Sequence, residues 1–103
     1  MITLCIRYTI DHNKLAEFET YARSLPKPVE RCGGEIIGYY MPTKIAGPTN
    51  MALGLIGFPD LAAYETYREK LVADPDAIEG LRLAEAAGCI LNEDRSFIRR
   101  LPG

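Results

Sequence analysis

A chain of 103 residues with 12 basic and 14 acidic side chains carries a net charge of −2, and its one adjacent basic pair, Arg99-Arg100, lies near the C-terminus. This balance excludes the lysine- and arginine-rich stripe of a nucleic-acid binder, and no apolar run is long enough to span a bilayer. At this length roughly two thirds of the unfolded surface can be buried, enough for one domain over residues 1–103 without staples.

The first stretch, Ile2 to Ile10, is β-branched and aromatic with a period-2 texture and reads as a strand. Asp11 then offers a capping oxygen. The apolar positions Leu15, Phe18, Ala22, Leu25, Val29 and Cys32 recur every three or four residues, as on one helix face. Pro26 interrupts that run and is expected to push Leu25 out of the α region, so the helix should kink there and resume for a turn or two. The pair Gly33-Gly34 ends it by supplying a left-handed residue.

Glu35 to Met41 reads as the second strand, and a Pro- and Gly-rich loop leads to the third, Asn50 to Phe58. That third strand is nearly continuous in apolar character, as expected for burial on both faces. The short turn-forming connection suggests an antiparallel hairpin. Pro59-Asp60 opens a second helical region, and Asp74-Pro75 divides it. A proline in a helix interior costs about 3 kcal/mol, whereas at a helix's first position its missing N–H is harmless. The region is therefore two helices, about 60–73 and 75–87, ending at Gly88. Cys89 to Leu101 forms a last strand with a polar middle.

The order β-α-β-β-α-β is the ferredoxin-like plan of an α+β domain, an antiparallel sheet with helices on one face. If the strands are as apolar as the third, the other face must also be covered. A second copy, sheet against sheet, does this economically in a homodimeric α/β barrel.

Motifs with chemistry are few. Cys5, Cys32 and Cys89 are dispersed and lack the neighbours of a metal site, and no metal is expected. Their pattern favours reduced thiols and a cytoplasmic setting. The N-terminus has no basic segment or cleavage pattern of a signal peptide. His12 falls at a helix start, a surface place. Glu93, Asp94 and Arg95 form a charged knot, but neighbouring strand residues point to opposite faces, so the two carboxylates should not share a site. They read as an exposed edge or turn. No phosphate loop, nucleophile elbow or dinucleotide fingerprint occurs, and no cofactor is expected.

Several pieces together resemble the NIPSNAP family of dimeric α/β barrel proteins. They are "RYT" followed by "KLAEF" (Lys14 to Phe18), "ERCGGEIIGYY" (Glu30 to Tyr40), "GPTN" (Gly47 to Asn50), "ADP" (Ala73 to Pro75) and the closing "RSFIRRLP". The ordered set covers nearly the whole chain. Departures stand at Leu4 and Ile6, where the family's first strand carries Glu and Arg, and at Gly54 and Ile56, where its third carries His and Trp. Others are His12-Asn13 in place of Pro-Gly, and Ala77 in place of an aromatic.

Alternation on the first strand separates Leu4, Ile6 and Tyr8 from Thr3, Cys5, Arg7 and Thr9. Polarity alone sends the apolar set toward the helices and Arg7 to the dimer side. The resemblance implies the reverse, with positions 4, 6 and 8 inside the barrel together with Asn50, Ala52, Gly54, Ile56 and Phe58, and this assignment is adopted as the expectation. Tyr8 and Tyr40 are the polar-tipped aromatics expected to reach a bound molecule, with Arg7 and Asn50 completing the candidate pocket. That pocket is expected to be poor in titratable groups.

The resemblance implies a protein of undetermined biochemical activity, with a small apolar molecule as the expected ligand and a second copy as the expected partner. The alternatives are a small cofactor-independent oxygenase or isomerase, and a protein–protein interaction module. No nucleic-acid or membrane-inserted partner is expected.

Overall fold

The computed structural model describes residues 1–102 and places four strands in one antiparallel sheet in the order β2-β3-β1-β4. These are β1 (Ile2–Ile10), β2 (Glu35–Tyr40), β3 (Met51–Phe58) and β4 (Ile90–Ile98). Two helix pairs cover one face, α1 (Leu15–Ser24) with α2 (Pro26–Arg31), and α3 (Leu61–Leu71) with α4 (Pro75–Ala87). This is the expected ferredoxin-like α+β arrangement, with β2 and β3 forming the hairpin.

The breaks in the helices have separate causes. Leu25 keeps helical dihedrals, φ −78° and ψ −38°, so it is not pushed out of the α region as expected. The ladder breaks instead because Pro26 has no N–H to donate, and the Leu25 N–H bonds the Ala22 carbonyl, three residues back instead of four, at 3.3 Å. At the second break Asp74 is the N-cap of α4, its Oδ1 accepting from the N–H groups of Asp76 (3.0 Å) and Ala77 (3.1 Å). The same carboxylate receives a fork from Arg31 at the end of α2, Nε to Oδ2 at 2.9 Å and Nη2 to Oδ1 at 2.8 Å. One buried acid thus ties the two helix breaks together.

Of the diglycine, Gly33 carries the positive φ of 110°, whereas Gly34 is there for space. A Cβ on it would lie 2.9 Å from both Ile56 Cγ2 and Val29 Cγ1. Gly88 closes α4 in the left-handed conformation, φ 66°.

Strand pairing fixes which side chains share a face. On the helix side three rows run Ala52–Tyr8–Glu93, Gly54–Ile6–Arg95 and Ile56–Leu4–Phe97. Leu4, Ile6, Tyr8 and Ile10 are buried there with Phe18, Val29 and Phe58 in the core. This corrects the expectation taken from the resemblance. Residues 4, 6 and 8, and with them Ala52, Gly54, Ile56 and Phe58, face the helices, as polarity alone directs. On the opposite face one row runs Tyr40–Leu53–Arg7–Asp94. Within the single chain this face is uncovered: Leu53 and Leu55 are half-buried and Met51 is exposed.

Candidate functional site

A cleft of about 880 Å³ opens between the sheet and the α3–α4 elbow. Its walls come from Tyr21 of α1 and Leu25 just after it, Tyr64 and Arg68 of α3, and Ile78 and Leu81 of α4, and Glu93 and Arg95 of β4 line it as well. The α3 wall is fixed by an aromatic stack. Tyr64 meets Phe97 edge-on at 4.8 Å and Phe58 at 5.3 Å, while Tyr67 packs on Phe58 at 4.8 Å. On the α1 side Phe18 touches Tyr8 at 4.9 Å and Tyr21 at 6.0 Å between ring centroids.

Glu93 and Arg95 are two residues apart on one strand and so share the helix-side face. Arg95 Nε donates to Glu93 Oε2 at 2.7 Å. Burial acts to lower the Arg95 pKa, but the bond to Glu93 and its charge outweigh it, and the guanidinium is held more firmly charged than usual. Around this pair stand phenols held protonated. Burial first, then the neighbouring Tyr39 and Tyr21 phenols, push Tyr8 up. Burial likewise raises Tyr21, with Tyr39 and Glu93 adding to the effect, and raises Tyr39 and Tyr67. The site is therefore a half-apolar cleft with hydrogen-bonding groups and one ion pair at its sheet side.

Space for this arrangement depends on Gly54. The Tyr39 ring lies across it, since a Cβ there would sit 2.7 Å from Tyr39 Cε1, and that placement brings Tyr39 to 6.4 Å from Tyr8.

The four residues expected to line a pocket are not brought together. Tyr8 lies under the helices, buried at the base of the tyrosine group. Arg7 and Tyr40 lie on the open sheet face, each paired with Leu53. Asn50 is spent at the strand end, its side-chain amide donating to the Ile10 carbonyl at 3.0 Å. His12 is exposed and within 3.3 Å of Thr49 Oγ1.

Titratable groups, expected to be few in the pocket, line this cleft on the helix side of the sheet. Leu4 and Ile6 are apolar, but β4 brings charge to this face, with Arg95 beside Ile6 and Glu93 beside Tyr8. Glu93 is an exposed residue of the edge strand β4, as expected. It borders the cleft, while Asp94 points to the other face as expected. Tyr21 and Tyr64 are not marked as site residues by the sequence, and Arg95 stands out there only as part of a charged knot. The i, i+2 spacing of Glu93 and Arg95 was the available signal, and the register against Tyr8 and Ile6 gave it meaning. Among the described residues no group of His, Cys, Asp and Glu is placed to hold a metal, and no helix is long and apolar enough to cross a membrane.

A family model described as NIPSNAP matches residues 3–102. Among solved structures, an uncharacterized NIPSNAP domain protein from Burkholderia xenovorans superposes with a TM-score of 0.80 at 18% identity, over 98% of this chain and 95% of the other. A protein from Agrobacterium tumefaciens gives 0.84 at 19% identity, over 98% and 94%. An antibiotic biosynthesis monooxygenase gives 0.67 at 14% identity, over 99% and 100%. At such identities these likenesses speak for the fold alone. No curated protein matches the chain.

Proposed function

The chain belongs to the NIPSNAP family, and on that footing we propose that it binds a small, largely apolar molecule in the sheet–helix cleft and works as a homodimer joined through its open sheet faces. The observation that carries the ligand is the cleft's mouth. Ile78, Leu81 and Val72 leave apolar side chains in solvent around it, 51%, 46% and 64% exposed, while its sheet side ends on hydrogen-bonding groups. Concave apolar walls with a few converging polar groups are the usual build of a small-molecule site. The dimer is supported by Ile37, Tyr40, Met51 and Ile98, large apolar residues left exposed on strands β2, β3 and β4, since exposed apolar surface of this kind marks interfaces.

Nile red, a neutral apolar dye, tests the cleft. Its fluorescence is expected to rise with the wild-type protein and to fall to background with Leu81→Arg, which sets a charge at the mouth. Equal binding by both proteins would refute the reading.

One observation favours a second reading, a cofactor-independent isomerase or oxygenase. Glu93 is a carboxylate among phenols held protonated, the two kinds of group that general acid–base chemistry needs. In that case Glu93→Gln abolishes turnover of a bound substrate while leaving Nile red binding intact.

A further inference from the structure

The ion pair at the sheet side of the cleft restricts what the bound molecule can be. Among the described residues, the Nε–Oε2 bond is the only side-chain hydrogen bond that either Arg95 or Glu93 makes. The two terminal amino groups of Arg95 and the second oxygen of Glu93 are left for a third molecule, a donor and an acceptor side by side. Both side chains keep contact with solvent, 41% and 28% exposed.

The charge around them is already settled. Glu93 offsets Arg95, and at the α3 wall Glu65 and Glu69 outnumber Arg68. The cleft as a whole thus carries one more negative than positive side chain. A carboxylate or phosphate entering it would give up its hydration for a site whose guanidinium is already paired.

We infer that the ligand is neutral, an apolar body ending in a head that both donates and accepts, such as a carboxamide or a hydroxyl beside a carbonyl. The body lies against Leu81, Ile78 and Tyr64. The carbonyl of the head accepts from the Arg95 terminal amino groups, and its N–H or O–H donates to Glu93. This inference rests on the proposed binding role of the cleft and adds the chemical class of what binds.

A pair of probes with one body separates the two claims. 2-Naphthamide and 2-naphthoate differ by an amide against a carboxylate, and their binding can be followed by amide chemical-shift changes in the ¹⁵N-labelled protein at neutral pH. The amide is expected to shift residues of α3, α4 and β4 around the cleft and to bind at least tenfold more tightly than the acid. In Glu93→Gln the negative charge is lost and one carboxylate oxygen becomes an amide N–H donor, so the preference should narrow or invert through tighter binding of naphthoate. If naphthoate binds the wild-type cleft as well as naphthamide, the neutral-head inference is overturned and the cleft remains a binding site. If both probes shift only residues elsewhere, or none, the binding role of the cleft falls as well. A Glu93→Gln protein that keeps the wild-type preference also overturns the inference, and its spectrum shows directly whether the fold is intact.

Discussion

Replacing Gly34 with alanine is a steric test of how the first helix pair meets the sheet. The backbone at Gly34 has no positive φ, so alanine suffers no conformational strain there, and any cost must come from the added methyl. That methyl would lie 2.9 Å from Ile56 Cγ2, 2.9 Å from Val29 Cγ1 and 3.3 Å from Tyr67 Cε1. Carbon atoms pack best at roughly 3.5–4.0 Å. Ile56 and Val29 are each 1% exposed, and their branched side chains have one strongly preferred rotamer, so neither can swing aside. Overpacking a filled core costs about 1–3 kcal/mol. With both opposing atoms rigid the upper half applies, about 2–3 kcal/mol, or a melting point lower by about 10 °C or more.

The assay is urea denaturation followed by far-ultraviolet circular dichroism, at one fixed protein concentration because assembly shifts apparent stability. Val29→Ala supplies the second arm. Alone it costs about 2–3 kcal/mol for the lost methyls and the space they leave. Combined with Gly34→Ala it removes one of the two clashing atoms, so the double variant should be more stable than the sum of the single losses by at least about 1 kcal/mol. Gly33→Ala meets no atom within 4 Å and should cost about 1–3 kcal/mol through its backbone alone, with no such rescue by Val29→Ala. A Gly34→Ala variant within about 0.5 kcal/mol of wild type, a size usual for surface changes, or strict additivity with Val29→Ala, would refute the reasoning.

Asp74 gives a pH prediction. Burial, the largest single influence, raises its pKa, but the Ala77 and Asp76 N–H groups and the Arg31 fork together overcome this and hold it below the ordinary 3.8. A depressed acid stabilises the fold above its unfolded pKa, and the contribution is lost as pH falls through the folded value. Asp74→Asn should thus be less stable than wild type at pH 7, and the gap should close on acidification below about pH 4, read from urea midpoints; a gap independent of pH would contradict the assignment.

The buried phenols carry the opposite sign. Tyr8, Tyr21, Tyr39 and Tyr67 are all raised above 10.0 by burial, so their contribution is present below pH 10 and is lost above it. Ultraviolet titration should show part of the phenolate absorbance of the six tyrosines appearing only with alkaline unfolding, and six phenols ionising reversibly in the folded state would exclude this. For the dimer, light scattering should give twice the 11.5 kDa chain mass for wild type and the single-chain mass for Leu53→Asp, which sets a charge amid the open sheet face. A monomeric wild type at micromolar concentration would rule out the sheet-face pairing.

Much of this molecule is written locally. The Asp60 and Asp74 caps, the proline at the first position of α4 and the left-handed Gly33 and Gly88 are choices that a few neighbouring residues settle, because capping bonds and backbone sterics act within one turn. Order and period then suffice for the ferredoxin-like plan. The face of β1 was legible too: the apolar set Leu4, Ile6 and Tyr8 goes to the helices because burying Arg7 there would cost more than burying leucine and isoleucine. The expectation drawn from resemblance pointed the other way, and only the packed structure decided between them.

The cleft lies beyond that local reading. Glu93 and Arg95 come from the last strand, Tyr21 from the first helix and Tyr64 from the third, and nothing in any one segment says that they meet. Their meeting is set by the register of β4 on β1 and by the elbow at Asp74, both products of long-range packing. Local forces determined the elements and which side of each is apolar. Closure of the chain on itself decided which polar groups would face one another across an unfilled space, because side chains distant in sequence become neighbours only once the sheet and its helices are docked.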